Sequence, residues 1–511
     1  MLPNQTRLTT EWTVTSLKIH IAESHNKRRE RRREPVKFSF IQPKLSEGAL
    51  EMCPNAWPPL GILYCATVLA NEGFDVSVLD QAAKSFTTKQ TVSWVKKKNP
   101  DILGFSVLSS SSKEAGKIAR LVKMENPNIC VVFGNYHPTF NAERILEKYP
   151  EVDVIVRGEG EFTSLELATC LHSGKSLENV AGITYRTNAG KIVATPERPL
   201  TEDVNSLPFP NRGLAGCEYA SRIFGVKTTT KKFTSILSSR GCPFHCTFCA
   251  CREFARGVWR PRSVENIVEE LEFLVSEGYR EFLFVDDNFT LNPRRVEKFC
   301  QTLRRRGLKI EWFCDSRVDN CGFSTFREMV KAGCRTLYFG MESANQRILD
   351  YYKKRITPEQ SKVAARNARK AGMDIIVGSF IVGAPDETRN EIQRTLRFAQ
   401  KIDIDVPSFN ILHAPIGSPL WNELVVKGFI DEDRYWEEGV FVSKVVPTAV
   451  PFEEIGQMIY EHFKAFYFDP KRLLSEFFRM FTSSFRLGLM FGNLAQLSTT
   501  LKTVRRGVQF R

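Results

Sequence analysis

Nowhere in its 511 residues does the chain carry an uncharged apolar run of about 18 residues, the length a spanning helix requires. No transmembrane helix is expected. The basic segment near the N-terminus has no apolar stretch attached, so it does not read as a secretory signal, and the expected location is the cytoplasm. No unit repeats at a fixed period, which removes the solenoid architectures. Acidic residues are in deficit: 72 lysines and arginines against 58 aspartates and glutamates give a net charge of +14. That balance favours anionic partners, such as nucleic acid, anionic lipid, an acidic redox protein or a carboxylate-rich substrate. Apolar material is not lacking. Hydrophobic residues make up 42% and charged ones 25%, which excludes a disordered chain and supplies cores for roughly two to four domains. With no secretion signal, the 13 cysteines are expected to be thiols and metal ligands rather than disulfides.

Residues 1–35 read as a basic extension. His25 to Glu34 is a charge run without apolar periodicity, a solvated tail or a contact for an anionic surface. From Val36, short apolar runs (36–42, 76–79, 102–106, 129–133 and 154–156) alternate with helix-length segments. Runs this short, separated by helices, predict an α/β domain with a doubly wound parallel sheet over residues 36–175. Ligands on such sheets lie at the carboxyl ends of the strands. Those ends carry Asp80, the serine tract from Ser109, then Gly134 with His137, then Gly158 with Glu159. The serine tract suits a ligand contact and a helix cap equally. Residues 176–225 read as a connector with a hairpin about Asn188-Ala189-Gly190, since glycine allows the tight turn.

A second alternating series fills residues 226–420. Strands are predicted at 234–238, 281–285, 309–313, 336–340, 375–382 and 408–412. Helix starts are marked by Ser263 and by two capping boxes, Thr357-Pro358-Glu359-Gln360 and Thr388-Arg389-Asn390-Glu391, in which side chains satisfy the first free backbone amides. Six strand–helix units predict a partial (βα)6 barrel of TIM type rather than a closed eightfold one. Residues 421–511 read as helical and rich in phenylalanine.

The most specific feature is Gly241-Cys242-Pro243-Phe244-His245-Cys246-Thr247-Phe248-Cys249. It directly follows the first strand of the second series, at the end of a barrel where catalytic groups gather. The CxxxCxxC spacing brings the thiolates of Cys242, Cys246 and Cys249 to one site. A 4Fe-4S cluster takes four ligands, so three from the protein leave one iron open. A structural zinc site would close with a fourth Cys or His, and His245 and Cys251 are near in sequence. Counting alone leaves both readings open.

At these residues the chain resembles the radical S-adenosylmethionine (radical SAM) superfamily, whose cluster loop has this spacing and an aromatic residue, here Phe248, before the last cysteine. The resemblance implies that the open iron chelates S-adenosylmethionine and that one electron cleaves it to methionine and a 5′-deoxyadenosyl radical, which abstracts hydrogen from an unactivated carbon. It also implies roles for residues at later strand ends. Asp286 and Asp287 would meet the methionine amine and Arg317 its carboxylate. Glu342 and Ser343 would contact ribose or methionine, and the segment holding Gly383 and Pro385 would pack on adenine. Relatives usually have glycine after that proline, where this chain has Asp386.

The first domain resembles the cobalamin-binding domain of one branch of this superfamily, the branch of the anaerobic magnesium-protoporphyrin ester cyclases and the cobalamin-dependent methylases. The matching pieces are Pro59 to Tyr64, Val78-Leu79-Asp80, Gly134 to Thr139 and Arg157 to Glu161. Asn135 stands where relatives usually have a second glycine, which would narrow the approach to the cofactor. Asp80 is followed by Gln-Ala-Ala-Lys, so the AspxHisxxGly motif for cobalt ligation is missing and a base-off cobalamin is implied. His137, the histidine at a strand end, reads more readily as a hydrogen-bonding loop group.

The resemblance leaves methylation and ring closure open, with a low-potential electron donor of ferredoxin or flavodoxin type expected. The phenylalanine-rich basic tail from Pro451, the +14 charge and the basic N-terminal run point to a hydrophobic or membrane-derived substrate, of lipid or tetrapyrrole class. Cys300, Cys314, Cys321 and Cys334 are spaced too widely for a ligand motif and are expected in the core. The tail interleaves phenylalanines with Lys471, Arg472, Arg479, Arg486, Lys502, Arg505 and Arg506. It is expected either to pack on the barrel or to lie at a membrane surface. A rival reading is a zinc-stabilised basic protein that binds nucleic acid, although no nucleic-acid module pattern is present.

Overall fold

The computed structural model describes residues 36–45, 57–223, 226–433 and 446–491. The extension 1–35 and the basic residues Lys502, Arg505 and Arg506 lie outside them. Two sheets organise the chain. The first has seven strands, β1 (Lys37–Gln42), β2 (Asp75–Asp80), β3 (Ile102–Ser106), β4 (Cys130–Gly134), β5 (Val154–Val156), β6 (Ile183–Arg186) and β7 (Ile192–Ala194), in the order β2-β1-β3-β4-β5-β6-β7. The first five pair in parallel. The near-continuous burial of β1, β3, β4 and β5 follows from helices on both faces, α1 (Leu60–Asn71) and α6 (Glu161–Ser173) packing together on one, α2 (Thr88–Lys98) and α3 (Ser112–Glu125) on the other. The hairpin β6–β7 adds two antiparallel strands to this sheet's edge. After β4 come two short helices, α4 (Tyr136–Phe140) and α5 (Ala142–Lys148).

The second sheet is an open, six-stranded parallel barrel in chain order: β8 (Phe233–Ile236), β9 (Glu281–Phe284), β10 (Glu311–Arg317), β11 (Cys334–Glu342), β12 (Ile375–Val382) and β13 (Val406–Ile411). Its helices are α7 (Cys251–Phe254), α8 (Val264–Ser276), α9 (Pro293–Arg305), α10 (Phe323–Lys331), α11 (Gln346–Tyr351), α12 (Pro358–Lys370) and α13 (Arg389–Lys401). Ser263 caps α8, and both capping boxes form at α12 and α13. Strand β10 runs four residues beyond its expected end. Asp315 and Arg317 continue it because a barrel lumen can house polar side chains on a strand's inner face. Cys300, Cys314, Cys321 and Cys334 lie in the barrel core.

Beyond the barrel come α14 (Pro419–Val426), α15 (Phe452–Tyr467) and α16 (Pro470–Met480). Helix α15 buries Ile455, Met458, Ile459 and Phe466 against α13 and β13. After α16, Phe485 enters the barrel beside Phe233 and Phe313. No helix among the described residues is long and apolar enough to cross a membrane.

Candidate cofactor site between the two sheets

The three-cysteine loop leaves β8 through Gly241, whose φ is +84°. A Cβ there would lie 2.2 Å from Val258 O and 2.7 Å from Ala255 Cβ, so only glycine fits. The loop is pinned beyond that point. Thr247 donates its amide to Tyr352 O at 3.0 Å and accepts the Leu420 amide at 2.9 Å. Cys242, Cys246 and Cys249 are all partly accessible. Burial pushes the Cys242 thiol up to about 11. Burial also raises Cys246, but Lys354 and Arg317 pull against it. A hydrogen bond from the Cys251 thiol holds Cys249 below its ordinary range, and the Cys251 amide lies 3.4 Å from the Cys249 sulfur.

The charged residues near this loop separate into two kinds. Arg317 stacks on the loop, its guanidinium 3.8 Å from the Phe244 ring centre, and is held by Asp319 at 2.9 Å and by Lys354 O at 2.7 Å. Glu342 has φ +60° and pairs with Lys354 Nζ at 2.6 Å. Gly340 makes room for the pair, since a Cβ there would lie 2.7 Å from Glu342 Oε1 and 2.8 Å from Lys354 Nζ. Asp287 stands at the cavity described below. Asp286, by contrast, is buried and accepts hydrogen bonds from the Ser238 amide at 3.0 Å, the Ser238 hydroxyl at 2.8 Å and the Ser239 hydroxyl. Ser343 is buried against the Thr395 hydroxyl at 3.1 Å and the Asn345 amide. Asp286 and Ser343 thus brace the strand ends, whereas Asp287, Arg317 and Glu342 surround the loop.

Gly383 has φ +84° and, with Ala384, donates its amide to the buried Glu387 carboxylate at 2.6 and 3.0 Å. Burial raises Glu387 to about 7, against those amides. Pro385 leads into Asp386, which takes φ +59°. Aspartate therefore adopts the backbone that glycine would provide, and the turn is kept.

Next to the loop lies a cavity of about 350 Å³, within the range of small-molecule sites. One wall is the face of the first sheet under α1 and α6, with Phe38, Gly61, Tyr64, Gly104, Gly134 and Gly158. The other is the barrel's Leu237, Ser239, Arg240, Gly241 and Asp287. Arg240 and Arg260 close its side by ion pairs with Glu159 at 3.0 and 2.9 Å, and Arg240 reaches Glu161 at 2.5 Å. Burial opposes ionisation of Glu159, but Arg260 and Arg240 outweigh it and bring the carboxyl down to about 2.

Three residues at the first sheet's strand ends do not line the cavity. Asp80 accepts the Ala83 amide at 2.9 Å and the Tyr219 hydroxyl at 3.1 Å, tying β2 to the connector. Ser109 lies 3.1 Å from His137 Nδ1, and neither lines the cavity. Burial drops His137 to about 4 and keeps it neutral. Asn135 does line the cavity. It takes φ +90° and directs its amide 2.9 Å to Ser106, folded back on the strand ends.

The residues fit the groups that the sequence implied. Gly61 and Gly158 leave open space at the cavity, since an added Cβ there would meet nothing within 4 Å, and this suits a group lying close to the backbone. The thiol loop offers three donors with two cations beside Cys246, which suits an anionic cluster. A zinc site fits less well. A closed zinc site needs a fourth ligand, and His245, the histidine in the loop, is exposed.

Sequence reasoning missed Arg240, Lys354 and Asp315. Asp315 is enclosed by the barrel yet open to its lumen. Burial and the charges of Asp286 and Asp287 push it up to about 7. A signal was available, because Asp315 shares the strand face of Arg317 at period two. No local pattern marks Lys354.

A parallel sheet and a partial barrel sharing a cavity beside a three-cysteine loop define a radical SAM enzyme with a corrinoid-binding domain. Family comparison agrees: the Radical SAM superfamily model matches residues 236–399 and the B12 binding domain model residues 50–168. The chain is 35% identical over 445 residues to an uncharacterized methyltransferase of Pyrococcus horikoshii, covering 87% of this chain and 95% of that one. It is 30% identical over 445 residues to the anaerobic magnesium-protoporphyrin IX monomethyl ester cyclase of Rubrivivax gelatinosus, covering 84% and 77%. In fold it is similar to the radical SAM methyltransferase TsrM of Kitasatospora setae, solved with cobalamin and a 4Fe-4S cluster bound. The TM-score is 0.64 at 19% identity, over 77% of this chain and 75% of that one. The chain belongs to the cobalamin-binding branch of the radical SAM superfamily. It is an enzyme of methyltransferase or cyclase type whose cofactors are a 4Fe-4S cluster, S-adenosylmethionine and cobalamin.

Proposed function

We propose that this enzyme transfers a methyl group to an unactivated carbon of an apolar substrate of lipid or tetrapyrrole class. The observation that carries the reading is the shared cavity, with glycines of the first sheet on one side and Gly241 and Asp287 of the cluster loop's surroundings on the other. When bound, the cluster, S-adenosylmethionine and cobalamin together supply an adenosyl radical for hydrogen abstraction and a cobalt-borne methyl group.

The protein's own residues do the rest. Cys242, Cys246 and Cys249 would hold the cluster, and Lys354 and Arg317 would lower the cost of its negative charge. Asp287 and Arg317 would orient the amine and carboxylate of S-adenosylmethionine by charge-assisted hydrogen bonds. Gly383 and Pro385 would lie against adenine. Gly61, Gly134 and Gly158 would admit the corrinoid, while Arg240 and Arg260, bound to Glu159, keep the two walls together. Asp286, Ser343 and Asp80 would position these groups from behind. The low-potential electron donor would be an acidic ferredoxin or flavodoxin, drawn by the net charge of +14. The same charge supports peripheral contact with a membrane surface.

Ring closure is the second reading, favoured by the similarity to the Rubrivivax gelatinosus cyclase. One experiment separates the two. Anaerobically reconstituted enzyme is given reductant, deuteromethyl-labelled S-adenosylmethionine and fractionated lipids or porphyrin esters. Label in the product supports methyl transfer. A product that has lost two hydrogens and carries no label supports ring closure instead.

A further inference from the structure

Helix α16 is mounted with its faces reversed. A surface helix ordinarily turns its apolar stripe to the core. Here Arg472, Glu476 and Arg479, spaced i, i+4 and i+7, form the face toward the barrel. Arg472 donates to Ile404 O at 2.6 Å and Gln400 O at 3.3 Å, Arg479 meets Asp403 at 3.1 Å, and Arg486 joins Glu476 and Asp405, each at 2.6 Å. The opposite stripe is left in solvent. Leu473, Leu474, Phe477, Phe478 and Phe481 are 53, 59, 51, 62 and 62% exposed, and Phe468 at the junction with α15 is 61% exposed. No residue of α16 is buried. A contiguous apolar patch of this kind on a charged protein marks a contact surface.

The position of the helix identifies what it contacts. It is anchored on the segment from Gln400 to Asp405 that leads into β13, at the amino-terminal ends of the barrel strands. Helices α9, α12 and α13 end there, and the exposed Arg305, Lys370 and Lys401 close their last turns, as the helix dipole favours. Exposed Lys309 and Lys471 lie at the same end. The acids anchoring α16 are matched by arginines: Asp403 by Arg369 and Arg479, Asp405 by Arg369 and Arg486. Asp469 and Glu461 are exposed acids beside the patch, the former capping α16. An apolar stripe within a basic rim is complementary to an anionic bilayer. Two copies of this chain would bring like rims together.

We infer that α16 is an interfacial membrane anchor, seating the base of the barrel on an anionic lipid surface while the cofactor mouth opens at the opposite end. This rests on the proposed membrane contact and adds where it is made. The mouth, with the cysteine loop, Asp287 and Glu342 at the carboxyl ends of the strands, is then free for the first domain, electron donor and substrate.

The test uses full-length, cluster-loaded protein and flotation with vesicles of phosphatidylcholine, with and without phosphatidylglycerol. Wild type is expected to float with the anionic vesicles at low salt and to be released by salt. The double variant Phe477→Ser/Phe478→Ser should lose about tenfold or more in partitioning, because binding scales with the apolar area inserted, with circular dichroism and cluster absorbance unchanged. Should that variant misfold, Leu474→Ser/Phe481→Ser serves in its place. A variant that floats as well as wild type keeps the membrane contact but removes α16 from it. Wild type that ignores anionic vesicles at low salt overturns both. Light scattering that shows a wild-type dimer and a monomeric variant, with no flotation of either, assigns the stripe to a second copy and overturns the lipid anchor.

Discussion

Arg240 Nη1 lies 3.0 Å from Glu159 Oε1, and this pair joins the end of the first sheet to the residue two places before Cys242. The same guanidinium reaches Glu161, and Arg260 takes the other side of Glu159. Any movement of one sheet against the other therefore strains the approach to the cysteine loop. The clamp is well shielded, with side-chain exposures of 12% for Arg240 and 10% for Glu159.

Arg240→Ala is expected to destabilise the protein by about 3 kcal/mol, since removing one partner leaves Glu161 buried without its cation. The pH dependence has a definite sign. Glu159 titrates near 2 in the folded state against 4.5 ordinarily, so its contribution is full above about 4.5 and is lost as pH falls from there toward 2. Glu159→Gln should flatten that part of the acid limb in denaturant titrations across this window. An unchanged acid limb would show that the clamp contributes nothing to folding.

Alanine at Cys242, Cys246 or Cys249 should remove 5′-deoxyadenosine formation and reduce iron to background in anaerobically reconstituted protein. Full loading gives about four irons per cluster. Alanine at Cys300 or Cys334, buried in the barrel core, should leave the iron count alone and cost stability instead. Iron retained by the triple cysteine variant would refute the cluster assignment.

Gly61→Leu should empty the cavity without harming the fold. The position is helical, exposed and open, with nothing within 4 Å of an added Cβ. Leucine is also the better helix former, by about 0.5 kcal/mol. After incubation with hydroxocobalamin and desalting, wild type should keep corrin absorbance and the variant should lose most of it. S-adenosylmethionine cleavage should survive in both. If wild type itself retains no corrin, the cobalamin part of the reading fails while the cluster part stands.

Lys354→Met should shift the cluster's reduction potential negative. Without Lys354, the Glu342 carboxylate 2.6 Å away faces Cys246 uncompensated, and added negative charge disfavours the reduced cluster. Glu342→Gln/Lys354→Met should return the potential most of the way. A spectroscopic titration in which neither variant moves the midpoint would place the pair outside the electrostatics of the site.

Legibility varied with the range of the interactions. Ile102–Ser106, Val154–Val156 and Ile375–Val382 form strands at their expected bounds, because a buried strand between helices is apolar throughout. The boxes at Thr357 and Thr388 cap their helices because the hydrogen bonds span three residues. The strand expected at 309–313 instead runs Glu311–Arg317. A charged residue inside a barrel lumen looks like a loop residue in sequence. Asp286 and Asp287 are neighbours with different surroundings, and their spacing cannot tell which one faces the cavity.

By itself the sequence determined the spacing of three cysteines in one loop, the order of the strand–helix units and the two-sheet plan. Each depends on spacing along a few dozen residues at most. Tertiary structure alone decided that Arg240 meets Glu159 across 81 positions, that Lys354 stands beside Cys246, and that α16 turns its phenylalanines outward. The tail's composition suits a buried helix and a surface anchor alike. What faces the barrel was set by its end, where Asp403 and Asp405 draw Arg479 and Arg486 inward and the Ile404 and Gln400 carbonyls hold Arg472, which leaves the opposite face of the helix in solvent.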